Sequence, residues 1–296
     1  MTMWVKKCEL LLRHEELDKI SIIMYYRILM KISVILPIYN EATGIEEMIR
    51  SIAKTKIPGV TDLEIVAVDD GSYDSTPQIL NRLSHAYKNM RVVTHSLNRG
   101  YGATLKSGAH AATYDWILFM DADMQFHIKS LKPFLQYTTD FDYVVGYRKD
   151  RADNTRRKIV SFIYNRIVRL MFDLSIRDVD CAFKLMKRNT VRRIKGLPNS
   201  FFVSAALMIK SLQQGVIIKE LPVKHLPRTK GVSTVTISQV LRTIRDLALL
   251  YQKTVLAGYV RTLQKLGIST QDVAKHYVMQ TAVFILTVLY AQHRGK

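Results

Sequence analysis

Two aspartates separated by one residue, Asp121 and Asp123, follow an apolar run and could bind a divalent cation. Gln125 follows in the same segment and can add another oxygen ligand. Mg²⁺ or Mn²⁺ suits this group, because each takes few protein ligands and completes its shell with water and phosphate oxygens. The alternative is structural, since Asp123 could cap a helix that we expect to begin near Ile128. Taken alone, two aspartates at this spacing favour a helix cap at Asp123 over a cation site.

A second acidic pair, Asp69 and Asp70, follows another apolar run. A carboxylate at this position can accept hydrogen bonds from a uracil or guanine edge or from a ribose. Gly71 permits a turn, and Ser72 or Asp74 could cap the next helix. A turn and a cap explain these three residues but not the paired aspartates. A nucleoside contact is therefore the better interpretation of the pair.

Glycines mark a third segment, residues 98–102 with the sequence Asn-Arg-Gly-Tyr-Gly, and Lys106 follows it. Glycine lets a backbone approach a ligand closely, and a lysine about one turn into a helix can reach a phosphate. The spacing matches neither the phosphate-binding loop G-x-x-x-x-G-K-[ST] nor a dinucleotide fingerprint. This segment alone therefore does not predict a phosphate site. A phosphate contact by Lys106 is expected only if the acidic motifs form a ligand site beside it.

The elements that must position these motifs alternate along the chain. Apolar runs predict strands at residues 32–38, 63–68, 91–94, 116–120 and 143–145, and helical patterns begin near Glu41, Asp74, Tyr101 and Ile128. Near-continuous apolar strands separated by helices indicate an α/β protein whose parallel sheet is covered on both faces. Such sheets bind ligands at the carboxyl ends of their strands. The motifs should therefore converge at residues 37–41, 69–72, 98–106 and 121–125.

A basic amphipathic helix is predicted at residues 148–169, where arginines and lysines alternate with apolar residues at helical spacing. Its basic members include Arg151, Arg156, Arg157, Lys158, Arg166 and Arg169, and its apolar ones Ile159, Phe162 and Ile163. Such a helix either packs on the core with its charges solvated or forms a surface for a membrane lipid or an acceptor. A further helix is predicted at residues 237–252. Residues 277–291 are apolar over about 15 residues, fewer than the roughly 20 of a bilayer span, which favours a buried or interfacial helix.

The balance of charges limits the class of partner. The 296 residues include 44 Lys and Arg against 25 Asp and Glu, a formal charge of +19, which favours nucleic acid, an acidic membrane or phosphorylated substrates. Nucleic-acid binding would leave the acidic motifs unexplained, and the sequence carries no recognised motif for it, so no nucleic-acid partner is expected. Two cysteines, Cys8 and Cys181, favour a reducing, cytoplasmic setting. Charges throughout residues 1–31 argue against a cleaved secretory signal.

The motifs together resemble those of family 2 glycosyltransferases. Four segments carry the resemblance in order, at residues 35–41 (Ile-Leu-Pro-Ile-Tyr-Asn-Glu), 68–72, 98–102 and 121–125 (Asp-Ala-Asp-Met-Gln). Within the family the chain is most similar to the polyprenyl-phosphate sugar synthases, the dolichyl-phosphate mannose synthase-like group, through residues 146–148, 177–184 and 225–233. The similarity covers residues 31–250.

The resemblance implies a GT-A fold, a mostly parallel sheet flanked by helices, with a C-terminal helical extension. It divides the chain into an N-terminal helical extension at residues 1–30, the GT-A domain at residues 31–250, and a helical segment at residues 251–296 that could associate with a membrane.

The same resemblance implies the roles of individual residues. Pro37, Tyr39, Glu41 and Asp69 would hold the nucleoside, and Asp121, Asp123 and Gln125 the metal and diphosphate. Further substrate-binding positions are Asn40, Asp70, Gly100, Lys106 and Ala122. Phosphates of donor or acceptor would meet Arg148, Lys184, Arg228 and Lys230, and catalysis would depend on Asp123, Asp180, Arg148 and Arg228.

The implied reaction transfers a hexose, with inversion, from a nucleotide diphosphate sugar of the GDP-mannose or UDP-glucose type to dolichyl or undecaprenyl phosphate. Many relatives carry a carboxylate in the segment matching residues 202–207, where this chain has alanine. That departure fits a phosphate acceptor, which needs no strong base, so Asp180 would either orient the acceptor or act as base. The alternative within the family is a saccharide or other hydroxyl acceptor.

A polyprenyl acceptor also implies a place in the cell. The chain would work at the cytoplasmic face of a membrane, bound peripherally, by one short span, or through a membrane-anchoring partner subunit.

Overall fold

The computed structural model describes residues 30–149, 151, 155–228, 237–256, 258, 259 and 262. Residues 1–29 and the apolar segment at residues 277–291 lie outside the described part of the chain, so the three-part division of the chain stays a prediction. Among the described helices, none is both long and apolar enough to cross a bilayer.

The core of the fold is a seven-stranded sheet. Its strands are β1 (Met30–Ile38), β2 (Val60–Asp69), β3 (Met90–Thr94), β4 (Trp116–Phe119), β5 (Tyr143–Lys149), β6 (Lys184–Lys187) and β7 (Ile218–Lys224). They lie in the order β3-β2-β1-β4-β6-β5-β7, with β6 antiparallel to both of its neighbours and the other pairs parallel. The predicted mostly parallel sheet is therefore confirmed.

Helices connect the strands and cover the sheet. They are α1 (Ile45–Lys54), α2 (Thr76–Ala86), α3 (Tyr101–Ala111), α4 (Lys132–Leu135), α5 (Thr155–Phe172), α6 (Arg188–Arg193), α7 (Val203–Gln213) and α8 (Ile237–Tyr251). A 3₁₀ turn at Ile128–Leu131 precedes α4. The helix starts predicted near Tyr101 and Ile128 match, whereas α1 begins at Ile45 rather than near Glu41.

Strands β6 and β7 are absent from the sequence prediction. The β6 segment is only four residues long, Lys-Leu-Met-Lys, and has too little apolar pattern to identify a strand. Its strand conformation depends on tertiary pairing, because it lies between β4 and β5. Strand β7 contains Pro222, a residue that edge strands tolerate, and β7 is indeed the last strand of the sheet.

Two apolar clusters, one on each face of the sheet, hold the helices in place. On one face Val34 and Leu36 of β1 pack with residues of α1 and α2. On the other face Ile35 packs with residues of α3 and α7. Alternate residues of β1 thus serve opposite clusters, as expected for a strand buried on both faces. This packing fixes the strand ends, and hence the loops that follow them.

Candidate active site

A cavity of about 230 Å³ lies at the carboxyl ends of the parallel strands β1, β2 and β4. Most of the residues predicted from the sequence line it: Pro37, Tyr39, Glu41, Asp70, Gly100, Asp121, Ala122, Asp123, Gln125, Arg148, Asp180 and Arg228. The structure therefore brings together groups from segments that are more than a hundred residues apart. Their roles in binding and catalysis remain predictions.

Asp121, the first aspartate after β4, has a strongly raised pKa. Burial, and then the neighbouring charge of Asp123, raise the pKa of Asp121 from 3.8 to about 7. The hydroxyl of Tyr101 donates to Asp121 Oδ1 over 2.9 Å and opposes this rise. Asp123 Oδ2 lies 3.9 Å from Arg228 Nη1. Two partly buried carboxylates in one cavity repel each other, so a positive charge between them would be stabilising.

The helix-cap interpretation of Asp123 is wrong. The 3₁₀ turn at Ile128 is capped by His127, whose Nδ1 accepts from the Lys129 amide over 3.1 Å. Asp123 Oδ1 instead accepts from the Gln125 amide over 3.1 Å, within its own loop. The carboxylate thus shapes the segment between β4 and the turn and faces the cavity.

The donor set of this loop fits Mg²⁺ or Mn²⁺. Among the described residues, no group of three or more His, Cys, Asp or Glu side chains is arranged to hold a metal ion. A cation here would therefore depend on two carboxylates, those of Asp121 and Asp123, and on an amide oxygen. The Gln125 Nε2 donates to Leu226 O over 3.2 Å, so its carbonyl oxygen is the atom suited to a cation. Water and a diphosphate would complete the shell, as is usual for magnesium.

The loop after β1 provides the side of the cavity assigned to the nucleoside. Glu41 Oε1 accepts from Arg228 Nη2 over 2.6 Å; burial raises the pKa of Glu41, and the arginine charge opposes the rise. Tyr39 meets Tyr73 edge to face, with ring centroids 6.1 Å apart. Asn40 does not line the cavity. With a φ of +54°, it ties the loop to the next one, because its amide donates to Ser72 Oγ over 2.9 Å.

Asp69, the last residue of β2, and Asp70, which follows it, have different environments, and only Asp70 lines the cavity. Asp69 Oδ1 accepts from the Ser72 amide over 3.1 Å, and its buried Oδ2 has no hydrogen-bond partner among the described residues. Asp70 accepts from the amides of Arg99 and Gly100, over 2.9 and 2.8 Å. Asp70 therefore orders the glycine loop, while Asp69 keeps one oxygen suited to an N–H donor.

The glycines of that loop approach protein backbone. A Cβ at Gly100, whose φ is +96°, would come within 2.5 Å of Asn199 O. A Cβ at Gly102 would come within 2.2 Å of Pro198 O. The sequence predicted a close approach to a ligand, whereas the close approach seen in the structure is to the segment before α7. The glycines in the sequence indicate that another group comes close to this backbone, but they do not identify that group.

Two of the three lysines predicted to bind phosphate, Lys106 and Lys184, do not line the cavity. Lys106 Nζ donates to Leu197 O and Asn199 Oδ1, over 3.0 and 2.5 Å. Lys184 is 1% exposed, donates to Cys181 O, and has a pKa that burial lowers. Neither lines the cavity, so both amines are engaged with protein in this structure. Lys230 lies outside the described residues.

Arg148 and Asp180 line the part of the cavity predicted to meet the acceptor, and Asp178 binds Arg148 without lining the cavity. Arg148 on β5 binds Asp178 through two hydrogen bonds, Nε to Oδ2 at 2.7 Å and Nη2 to Oδ1 at 2.6 Å. Burial raises the pKa of Asp180 from 3.8 to about 6, with the Arg148 charge opposing the rise. This part of the cavity therefore combines a fixed cation with a carboxylate that titrates near neutral pH.

The sequence placed residues 98–106 at the site but gave no individual role to Asn98, Tyr101 or Thr104, and it missed Phe201 and Gln239, which also line the cavity. The sequence could have identified Tyr101 as a cavity residue, because it directly follows Gly100 at the start of α3. Phe201 stacks on Tyr101 with ring centroids 5.4 Å apart. The alanines of the neighbouring segment, Ala205 and Ala206, are fully buried in the core. Phe201 is thus the nearby residue that reaches the cavity.

Two curated relatives are similar to this chain in sequence. Glycosyltransferase AglD of Haloferax volcanii is 28% identical over 262 residues, covering 81% of this chain and 42% of the relative. Dodecaprenyl-phosphate galacturonate synthase of Rhizobium johnstonii is 27% identical over 225 residues, covering 74% of this chain and 65% of the relative. The chain thus spans less than two thirds of the length of either relative.

Solved structures of glucosyl-3-phosphoglycerate synthase from Mycobacterium tuberculosis share the fold. The complex with Mn²⁺, uridine diphosphate and phosphoglyceric acid matches at a TM-score of 0.57 and 17% identity, covering 81% of this chain and 80% of that chain. The complex with Mn²⁺ and UDP-glucose matches at a TM-score of 0.55 and 18% identity, with the same coverage. The likeness confirms the predicted GT-A fold.

The family assignment rests on the match that covers the first four motifs and the strands that carry them. The model of the family described as Glycosyl transferase family 2 matches residues 33–195, which is more than half of the chain. The matched region runs from β1 to α6 and includes both acidic pairs. The chain belongs to glycosyl transferase family 2.

Proposed function

We propose that this chain is an inverting, metal-dependent hexosyltransferase that moves a sugar from a nucleotide diphosphate to a polyprenyl phosphate at a membrane surface. One observation carries the proposal: a partly buried acid pair suited to a cation, Asp121 and Asp123, shares a cavity with three arginines, Arg148, Arg151 and Arg228. Such a cavity suits two anionic substrates that meet at a cation. Similarity to a dodecaprenyl-phosphate galacturonate synthase supports the lipid phosphate as acceptor.

At the donor end, the chain must stabilise negative charge that grows on the departing diphosphate. Asp121, Asp123 and Gln125 would hold Mg²⁺ or Mn²⁺, which when bound neutralises part of that charge. Arg228 already lies between Glu41 and Asp123, at 2.6 and 3.9 Å, and so stands where a diphosphate would arrive. Fixed charges in a water-poor cavity lower the barrier because they need no reorganisation during the reaction.

The nucleoside would occupy the side formed by the loops after β1 and β2. Pro37 and Tyr39 line this side and offer apolar and aromatic surface to a base. Asp69 does not line the cavity, but its buried Oδ2 has no protein partner among the described residues and would suit an N–H of a uracil or guanine ring. Both nucleotide types share this chemistry, so the donor class is a GDP-mannose or UDP-glucose type sugar nucleotide.

At the acceptor end, Asp180 and Arg148 line the cavity together. A lipid monophosphate is already anionic near neutral pH and attacks the anomeric carbon without a strong base. Arg148, held rigidly by Asp178, would orient the phosphate, and Asp180 would orient the acceptor opposite the leaving group. The result is a single displacement with inversion.

The raised pKa of Asp180 favours one alternative, transfer to a hydroxyl. A carboxylate with a pKa of about 6 is a suitable general base near neutral pH, and an acceptor hydroxyl would need one. The two acceptors make different demands on Asp180, and this difference separates them by experiment.

Helix α5 supplies a surface suited to a membrane. Its exposed residues are both apolar and basic, with Phe162 at 71% exposure, Leu170 at 69%, and Lys158 and Arg166 beside them. The core-facing side of the same helix is formed by Asn165 and Val168. Helix α5 thus packs on the core and also presents an apolar, basic face, a combination typical of interfacial helices.

Helix α8 adds exposed apolar residues next to α5, and these could also contact a membrane. Phe172 of α5 packs edge to face on Tyr251 of α8, and α8 exposes Val240, Leu241 and Leu249. Peripheral binding at the cytoplasmic face, with or without an anchoring subunit, accounts for these exposed side chains.

Replacing Asp123 by alanine should abolish transfer while the protein stays folded. Without this carboxylate the cation loses a ligand, so we expect sugar transfer to fall about 100-fold or more. The measurement is label transfer from a radioactive nucleotide sugar at saturating Mn²⁺. Asp115→Ala is the matched control, because Asp115 precedes the same strand at its other end and its side chain is 86% exposed. Full activity of the Asp123 variant would refute the metal assignment.

Replacing Asp180 by asparagine tests the acceptor. Asparagine can still orient an acceptor but cannot take a proton, so with a lipid phosphate we expect kcat to fall no more than about tenfold, whereas loss of a required base typically costs 10² to 10⁴. The assay compares kcat of the variant and the wild type with polyprenyl phosphate, and then with hydroxyl acceptors. A loss of 100-fold or more with the lipid phosphate would contradict the orienting role.

The α5 face predicts binding to anionic liposomes that weakens with salt. Basic residues are attracted to anionic headgroups, and this attraction is screened, while apolar burial is not. We expect flotation of the wild type at low salt and markedly less with Phe162→Ser and Ile163→Ser combined. Ile217→Ser is the control, because Ile217 directly precedes β7 and exposes a comparable apolar side chain away from α5 in the sequence. This variant should float like the wild type. Equal flotation of all three proteins would exclude α5 as the contact.

A further inference from the structure

A chain of three polar side chains lies behind the candidate active site. His95 directly follows β3 and is 6% exposed. Its Nδ1 lies 2.6 Å from Asp70 Oδ1, and its Nε2 lies 2.9 Å from Ser107 Oγ on α3. Asp70 is one of the residues that line the cavity, whereas His95 and Ser107 are not. The imidazole therefore supports a cavity residue from the protein side.

The chemistry of the three groups fixes which one donates. An ionised carboxylate can only accept hydrogen bonds, so His95 Nδ1 must carry the proton that is shared with Asp70. The Nε2 atom then accepts from the Ser107 hydroxyl when the imidazole is neutral, or donates to Oγ when it is charged. In both states the imidazole bridges β2 and α3. The carboxylate of Asp70 is consequently held in one orientation.

That orientation matters because Asp70 also holds the glycine loop. Its two oxygens accept from the Arg99 and Gly100 amides, at the point where Gly100 has a φ of +96°, a backbone conformation that glycine adopts readily. The next residue, Tyr101, donates its hydroxyl to Asp121. The order of contacts therefore runs from Ser107 through His95 and Asp70 to the loop and on to the acid pair.

A serine, histidine and aspartate in hydrogen-bonded order also occur in enzymes with a serine nucleophile. In this chain Ser107 lies in the middle of α3, and neither it nor His95 reaches the cavity wall. A nucleophile must contact its substrate, so the arrangement does not suit covalent catalysis. It suits a support for the one member, Asp70, that does face the cavity.

We propose that His95 is a positioning residue for donor binding: through Asp70 it holds the loop at residues 98–101 in the conformation that meets the nucleotide sugar. The donor named here rests on the proposed function, whereas the support of the loop by His95 does not. Neither His95 nor Ser107 would contact substrate.

The test compares two replacements of His95. In His95→Asn the amide nitrogen can occupy the place of Nδ1 and still donate to Asp70, whereas His95→Ala removes this donor. We expect the alanine variant to raise the donor KM about tenfold, the effect of one lost hydrogen bond to a charged group, with kcat and the acceptor KM within about threefold of wild type. The asparagine variant should restore the donor KM to within about threefold of wild type.

A second readout needs no substrate. Hydrogen exchange at the Arg99 and Gly100 amides should be faster in His95→Ala than in wild type and should return to the wild-type rate in His95→Asn, because these amides are protected by Asp70. His85→Ala is the matched control, since His85 is exposed on α2 and should leave both readouts unchanged. If the alanine variant does not fold, His95→Gln replaces it, because its longer amide is displaced from the Nδ1 position.

The proposal is overturned if the alanine variant keeps both the wild-type donor KM and wild-type exchange at residues 99 and 100. It is equally overturned if the asparagine and alanine variants lose the same amount, which would indicate ring packing rather than the hydrogen bond. A wild-type protein that binds no nucleotide sugar would refute the proposed function, and the exchange comparison would still decide the role of His95.

Discussion

The arrangement of the candidate site depends on the electrostatic cost of holding two partly buried carboxylates, Asp121 and Asp123, side by side after β4. Burial and mutual repulsion raise the pKa of Asp121 to about 7, so the pair is unfavourable unless positive charge or hydrogen-bond donors surround it. The Tyr101 hydroxyl supplies one donor and Arg228 supplies charge near Asp123. The cation and the diphosphate that we propose as ligands would lower this electrostatic cost.

The loops around the acid pair are joined to one another by hydrogen bonds between distant parts of the chain. Asp70 holds the glycine loop, and Tyr101 connects that loop to Asp121. The backbone carbonyl of Gln125 accepts from the backbone amide of Leu226 over 2.9 Å. The rigid sheet fixes where each loop begins, and these contacts fix its conformation. The cavity is therefore built before any substrate arrives, which reduces the entropy cost of binding.

The sequence was sufficient for the five apolar strands and for the edge where the motifs meet, because buried parallel strands have a plain pattern and a known ligand-binding end. It was insufficient for β6, whose strand conformation comes from its neighbours, and for Lys106 and Lys184. A lysine has a long, flexible side chain, so its position in the sequence shows which loop it could reach but not which acceptor it finds. Lys184 binds Cys181 O in the core, and Lys106 binds the segment before α7.

The most direct test of the account is the fate of the sugar. Purified protein is incubated with radiolabelled UDP-glucose or GDP-mannose, polyprenyl phosphate and Mn²⁺, and the mixture is extracted with organic solvent. We expect label in the organic phase, and we expect mild acid to release it, because a sugar on a lipid phosphate is acid-labile. No label should enter the organic phase when a chelator removes the cation. Label that never enters the lipid with any donor, or that resists mild acid, would contradict the account.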